Sequence, residues 1–220
     1  MLELLLSGGW IMWPIFAASA ISVAIILERF WTLRRRVVLP PGLGDEVRAW
    51  ARQHKLDPAH LQALRTNSPL GELLAAGIEV RHRPREQIKE RIEDVGRHVV
   101  HQLERFLNTL GSIASVAPLL GLLGTVIGMI HMFLAILDHG IGDVTQLAGG
   151  IGQALICTAA GMVVAIPALL FHRYFRGRVT EFVIEMEKQA MALLDTLEEQ
   201  PQPASTAAPV PRRRTAAPAA

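Results

Sequence analysis

Three stretches of the sequence contain no Asp, Glu, Lys or Arg, and their length limits what the chain can fold into. They cover residues 4–27, 106–137 and 144–171, and each is longer than the roughly 20 residues that an α-helix needs to cross a bilayer. Lipid offers the backbone no hydrogen-bond partners, so a spanning segment of this kind must be a helix. The sequence therefore predicts an all-α integral membrane protein with three transmembrane helices.

The first stretch has an alternative interpretation as a cleaved signal peptide, since residues 17–20 (AASA) weakly resemble a cleavage site. Signal peptides place positive charge before a short apolar region. Here the arginines at 29 and 34–36 follow the apolar region instead. In a helix, Trp10 and Trp31 would be about 31 Å apart, which suits the two membrane interfaces. We therefore expect an uncleaved first span.

The positions of the basic residues predict the orientation, because loops rich in Lys and Arg stay on the cytoplasmic side. If the N-terminus is outside, all 22 Lys and Arg lie inside. The external pieces, 1–9 and 138–143, then carry only Glu3, Asp138 and Asp143 as charged residues. The net charge of +2 therefore describes a basic cytoplasmic face and not a groove for nucleic acid.

The rest of the chain is arranged around the spans. Short cytoplasmic helices are predicted at 45–54, 57–65 and 68–80, with Asp57 and Ser68 as N-caps ahead of prolines. From Pro84 onward, apolar residues recur every three or four positions, which predicts a helix that runs without a break into the second span. The predicted division is a periplasmic N-terminus and first transmembrane helix at 1–33, a cytoplasmic helical region at 34–112, a second transmembrane helix at 113–137, a periplasmic turn at 138–143, a third transmembrane helix at 144–171, a cytoplasmic helix at 172–200 and a disordered tail at 201–220.

The cytoplasmic helix after the third span is predicted to be amphipathic. Its apolar stripe consists of Phe182, Met186, Ala190, Leu193, Leu194 and Leu197. The tail beyond it is rich in Pro and Ala and too poor in large apolar side chains to fold.

Small residues recur along one side of the second and third spans. Gly124 and Gly128 form a GxxxG pattern, which lets two helix backbones approach closely in lipid. The glycines predicted to pack helices are Gly121, Gly124, Gly128, Gly150 and Gly161. Such stripes fit plain packing between spans of one molecule, and they equally fit spans that surround a functional lumen. The sequence leaves both interpretations open.

Three polar side chains within these spans are candidates for lining a lumen. Thr125 and Thr158 can each bond a carbonyl one turn back in their own helix, whereas the Gln153 amide is costly to bury in hydrocarbon and must face protein, water or a partner. Gln153 and Thr158 are about 140° apart around an ideal helix, so both face one lumen only if it is wide or the helix is distorted. Pro118 and Pro167 are the predicted kinks.

None of the three stretches contains an acidic residue, although intramembrane acids are the usual proton relays. His131 is the only ionisable group in the second span and a minor candidate, because a histidine can move protons. Cys157, His82, His98 and His101 do not have the spacing of metal ligands. We therefore expect no metal, no cofactor and no catalytic residues, since no nucleophile with a base is evident.

The segments 117–129 (APLLGLLGTVIGM) and 150–168 (GIGQALICTAAGMVVAIPA) resemble the second-span and third-span motifs of the MotA/TolQ/ExbB proton channel family. Three spans point to its ExbB and TolQ branch. The resemblance implies a bacterial inner-membrane subunit of a motor driven by the proton-motive force. It also implies a pentamer around an ExbD or TolR-like single-span subunit that supplies an intramembrane Asp, and a TonB or TolA-like protein that is energised for outer-membrane transport.

Within this resemblance, Thr125 and Thr158 match the lumen threonines of the family. Gln153 stands where many ExbB and TolQ members carry a glutamate. This departure agrees with the absence of acids from the spans, and it leads to the hypothesis that the titrating acid belongs to the partner. The alternative function is a non-conducting membrane scaffold that stabilises partner subunits.

Overall fold

The computed structural model describes residues 9–53, 58–139 and 144–199, which form helices and no strand. Three helices are long and apolar enough to cross a membrane, namely Met12–Thr32, Leu107–Leu137 and Ala148–Glu198. The predicted all-α architecture with three membrane-spanning helices is confirmed. The Asp57 cap, residues 140–143 of the predicted turn and the tail at 201–220 lie outside the described residues.

The described residues form eight helices, numbered here in chain order. They are α1 (Met12–Thr32), α2 (Arg35–Val38), α3 (Leu43–Arg52), α4 (Pro58–Asn67), α5 (Pro69–Glu79), α6 (Arg85–Glu104), α7 (Leu107–His139) and α8 (Val144–Glu198). Helix α8 has 55 residues and is about 83 Å long at 1.5 Å per residue. The third span and the cytoplasmic helix predicted at 172–200 are therefore one continuous helix.

The predicted cap at Ser68 is confirmed. The backbone N–H of Gly71 donates a hydrogen bond to Ser68 Oγ at 3.1 Å, and Pro69 occupies the first helical position. Proline suits that position because its missing N–H would have no partner inside the helix. Ser68 is itself buried, so this cap fixes where α5 begins in the apolar core.

The predicted unbroken helix from Pro84 into the second span is wrong at one place. Helix α6 ends at Glu104 and α7 begins at Leu107, because Arg105 is extended (ψ 138°) and Phe106 has a φ of +62°. A bulky residue in this left-handed region is strained. The apolar spacing continues through the break, so periodicity alone could not reveal it.

Arg29 of α1 contacts the break between α6 and α7. Only 2% of this residue is exposed, and its Nη1 donates a hydrogen bond to the Leu103 carbonyl at 3.2 Å. Its guanidinium lies 5.5 Å from the centroid of the Phe106 ring. Its Nε lies 2.7 Å from a carboxylate oxygen of Glu28, so the two side chains form an ion pair. The first span thus supports the strained junction through a buried charge.

The main apolar core lies mostly outside the predicted spans, where α3, α5 and α6 pack against the C-terminal part of α8. The apolar stripe predicted for this part of α8 is buried at all six positions, which confirms that prediction. A smaller cluster near the start of α1 joins Ile11, Met12 and Ile15 to Cys157 of α8. Each span is therefore held at a defined position against the other two.

Candidate functional site

The predicted packing glycines meet at the interface between α7 and α8, which run antiparallel. A Cβ at Gly161 would lie 2.6 Å from the Ala117 carbonyl oxygen, and one at Gly121 would lie 2.9 Å from the Cys157 carbonyl oxygen. A Cβ at Gly128 would lie 3.1 Å from the Gly150 carbonyl oxygen. Because no side chain fits between these backbones, the small-residue stripes pack two spans of one molecule together.

Gly124 extends this interface toward α1. A Cβ there would overlap the Cys157 side chain, and Ile11 lies on the same side at 3.7 Å. Cys157 is fully buried, so it acts as a small packing residue where three spans meet. This agrees with the absence of a metal-ligand pattern around it in the sequence.

Thr158 links α8 to α7 through its hydroxyl group. Its Oγ1 donates a hydrogen bond to the Gly121 carbonyl at 3.3 Å, across the helix interface. The sequence suggested a partner within its own helix, and the structure instead shows an interhelical bond. The close approach at Gly121 brings that carbonyl within reach. Thr158 remains partly exposed, so its oxygen can still accept a hydrogen bond from another molecule.

Thr125 satisfies its hydroxyl locally. Its Oγ1 donates to the Leu122 carbonyl, three residues back in α7, at 2.6 Å. The side chain is half-buried, and its oxygen lone pairs are available as acceptors. Both threonines therefore have their protons committed to backbone carbonyls and present acceptor oxygens to their surroundings.

Gln153 faces the beginning of α1. Its amide nitrogen lies 2.5 Å from where a Cβ on Gly9 would be, and Gly9 has a φ of +75° that favours glycine. The Gln153 side chain is half-buried. Within a single chain, this amide thus lies beside the N-terminal end of the first span. Its contribution to a lumen stays a prediction.

The remaining candidate residues differ in their surroundings. His131 is exposed on α7. Pro118 and Pro167 lie inside helices that continue on both sides of them, so the predicted kinks stay predictions. The described residues contain no group of three or more His, Cys, Asp or Glu side chains that could hold a metal ion.

Arg29 and Phe106 are the residues that the sequence analysis missed. The arginine was assigned to the basic flank of the first span, and only its position directly after Glu28 hinted at a paired, buried charge. The positive φ of Phe106 had no signal at all, because left-handed positions are normally indicated by Gly or Asn.

The sequence pattern of the MotA/TolQ/ExbB proton channel family matches residues 65–188. The match covers more than half of the chain and includes both spans that contain the glycines and threonines described above. The chain belongs to the MotA/TolQ/ExbB proton channel family.

Relatives place this family member in the ExbB branch. It is 34% identical over 176 residues to the putative biopolymer transport protein ExbB-like 1 of Synechocystis, covering 79% of this chain and 69% of that one. It is 31% identical over 193 residues to a putative biopolymer transport protein ExbB homolog of Methanothermobacter thermautotrophicus, covering 84% and 66%. It is 30% identical over 166 residues to the biopolymer transport protein exbB1 of Vibrio cholerae, covering 73% and 72%.

Proposed function

We propose that this ExbB-family protein is an inner-membrane subunit of a motor driven by the proton-motive force. In this proposal it is a multi-pass protein with a periplasmic N-terminus and a cytoplasmic C-terminus. It forms an oligomeric channel, pentameric by resemblance, around an ExbD or TolR-like single-span subunit. The assembly energises a TonB or TolA-like protein for outer-membrane transport.

The observation that carries the proposal is the state of the two span threonines. Thr125 and Thr158 donate their protons to carbonyls of Leu122 and Gly121, which leaves acceptor oxygens in segments that contain no acid. Acceptors of this kind favour a proton-bearing group or an ordered water opposite them. An aspartate in the span of the partner would be such a group, and Gln153 would add an amide that both donates and accepts.

The membrane potential can supply enough free energy to drive such a motor. One charge that crosses the membrane potential releases about 2.3 kcal/mol per 100 mV. This is enough to bias a packed interface between two discrete arrangements. The closely packed α7–α8 pair would then move as a unit, because its backbones are in direct contact.

Proton flux into liposomes tests the proposal. We expect the purified chain alone to be nearly silent, the complex with its single-span partner to conduct, and replacement of the partner's intramembrane Asp by Asn to abolish conduction. Robust flux through the chain alone would overturn this assignment. A stable complex that never conducts would favour the scaffold function.

The role of Gln153 needs two measurements, because this side chain lies beside the start of α1. A lumen role predicts that Gln153→Ala lowers flux and leaves the unfolding free energy nearly unchanged, and that Gln153→Glu is tolerated. Gln102→Ala, which removes an exposed amide from α6, is the matched control. Unchanged flux in Gln153→Ala would remove this residue from the pathway.

A further inference from the structure

A second feature of the molecule is a cavity of about 560 Å³ between the cytoplasmic end of α1 and the middle of α8. Its lining is formed by Arg29, Phe30, Trp31, Leu33, Arg34, Arg35, Arg36, Tyr174, Phe175 and Arg178. Five of these ten residues are arginines, and none is acidic. Nothing in the proton-motor function described above uses this cavity.

Aromatic residues indicate the depth of the cavity in the membrane. Trp31 and Tyr174 line it and are largely exposed, and amphipathic rings of this kind favour the headgroup level. The third uncharged stretch ends at residue 171, directly before the lining residues of α8. Phe30 packs the end of α1 against the middle of α8, with its ring centroid 5.2 Å from that of Phe175. The cavity therefore opens where one membrane surface meets water.

The charges in the cavity are only partly compensated. Arg29 is turned inward onto Leu103 and pairs with Glu28, and Arg178 pairs with Glu181 at 2.8 Å. Among the described residues, no carboxylate lies within ion-pair distance of Arg34, Arg35 or Arg36. Three cations thus border a cavity that lacks a counter-charge of its own.

Two further acidic residues, Asp45 and Glu185, line an adjoining cavity that Arg35 and Arg36 also line. Asp45 there pairs with Arg48. Glu185 accepts a hydrogen bond from Gln189 at 3.1 Å. Because both carboxylates have partners of their own, they leave the arginine cavity open to an external anion.

We propose that this cavity binds the phosphate group of an anionic phospholipid from the adjacent leaflet. The planar guanidinium group matches phosphate oxygens through paired N–H donors, and basic clusters at membrane surfaces attract anionic lipid. The apolar sides of Phe30 and Trp31 provide a surface for the first part of an acyl chain. Charge that only sets the topology would need neither a cavity nor arginines brought together from the end of α1 and from α8.

Native mass spectrometry of the full chain, purified and delipidated in detergent, tests the site. Phosphatidylglycerol is the probe, phosphatidylcholine with the same acyl chains is the control lipid, and inorganic phosphate is added as a competitor. The test variant is Arg34→Gln/Arg178→Gln. The matched control is Arg173→Gln/Arg176→Gln, which removes two exposed charges of α8 at the same depth but outside the cavity.

We expect phosphatidylglycerol to be retained in preference to phosphatidylcholine. We expect the cavity variant to lose about thirtyfold in affinity for it, since each of its two arginines contributes about 1 kcal/mol near an anionic surface, and the control variant to lose little. Equal losses in both variants would overturn the proposal, because they would indicate general surface charge only. Equal retention of the two lipids, or displacement of the lipid by millimolar phosphate, would also overturn it. Far-ultraviolet circular dichroism verifies that both variants are folded.

Discussion

Helix α8 is packed by two different kinds of residue along its length. In the membrane half, the residues turned toward α7 and α1 are small, namely Gly150, Ala154, Cys157, Gly161, Ala165 and Ala168. In the C-terminal half, the buried residues are mostly large, namely Phe175, Val179, Phe182, Met186, Ala190, Leu193 and Leu197. The change occurs within two turns, close to the predicted end of the third span.

The exposed sides of the two halves explain this difference. In the membrane half, large apolar residues such as Val163 and Leu170 point outward, where 70% and 63% of them are exposed. Burying them would gain little, since lipid is as apolar as another side chain, and close packing of backbones must hold the spans together instead. In water, burial of large apolar side chains supplies the free energy that holds the helices together.

The C-terminal half of α8 should be the more sensitive to loss of side-chain volume. Phe175 is 1% exposed, and we expect Phe175→Ala to lower the free energy of unfolding by about 3–5 kcal/mol, because it removes a large side chain from a packed core. The measurement is SDS-induced unfolding in mixed micelles, followed by circular dichroism. Ile184→Ala, an exposed position on the same helix, should change it by less than about 0.5 kcal/mol. Equal effects at the two positions would contradict a water-driven core there.

The membrane half should instead be sensitive to added volume. Gly161→Ala places a methyl group against the Ala117 carbonyl, and overpacking of this kind costs about 1–3 kcal/mol. Gly152→Ala is the control, since a Cβ there meets nothing within 4 Å. Both variants gain the same helix propensity, so the same unfolding assay isolates the contact. If Gly161→Ala is as stable as Gly152→Ala, the two backbones are not in contact.

The sequence predicted the packing of the two halves unequally well. The spans, the apolar stripe of α8 and the Ser68 cap followed from length, periodicity and a single residue type. The glycine stripe predicted close packing but could not say which helices it joins, because a stripe defines a face and not its neighbour. The Thr158 bond to Gly121 depends on that neighbour, so it was equally out of reach.

The break between α6 and α7 was the part of the fold that the sequence did not indicate. Phe106 belongs to the apolar repeat of α6 and α7, and this repeat gives no indication that its backbone is left-handed. Arg29, which contacts this junction through the Leu103 carbonyl and the Phe106 ring, lies far from it in the chain. A contact between a charged residue of the first span and the end of α6 depends on tertiary structure alone.

Substitution of Arg29 therefore tests how the first span supports the break between α6 and α7. We expect Arg29→Met to lower the unfolding free energy by about 1–2 kcal/mol, because the buried Leu103 carbonyl loses its donor, while relief of a buried charge offsets part of the loss. Hydrogen exchange should become faster at residues 103–108 and stay unchanged in α3. Arg34→Met, an exposed arginine five residues later, is the control. Unchanged exchange at the junction would show that Phe106 keeps its conformation without Arg29.

The smallest effect should come from the single hydrogen bond that crosses the membrane interface. Thr158→Val keeps the shape of the side chain but removes the donor to the Gly121 carbonyl. Interhelical bonds in membranes contribute about 0.6 kcal/mol on average, so we expect a loss of that size. Thr125→Val should cost less, since its bond lies within one turn of α7. A loss above about 2 kcal/mol for Thr158→Val would show that polar contacts, more than close backbone packing, hold this half of the molecule together.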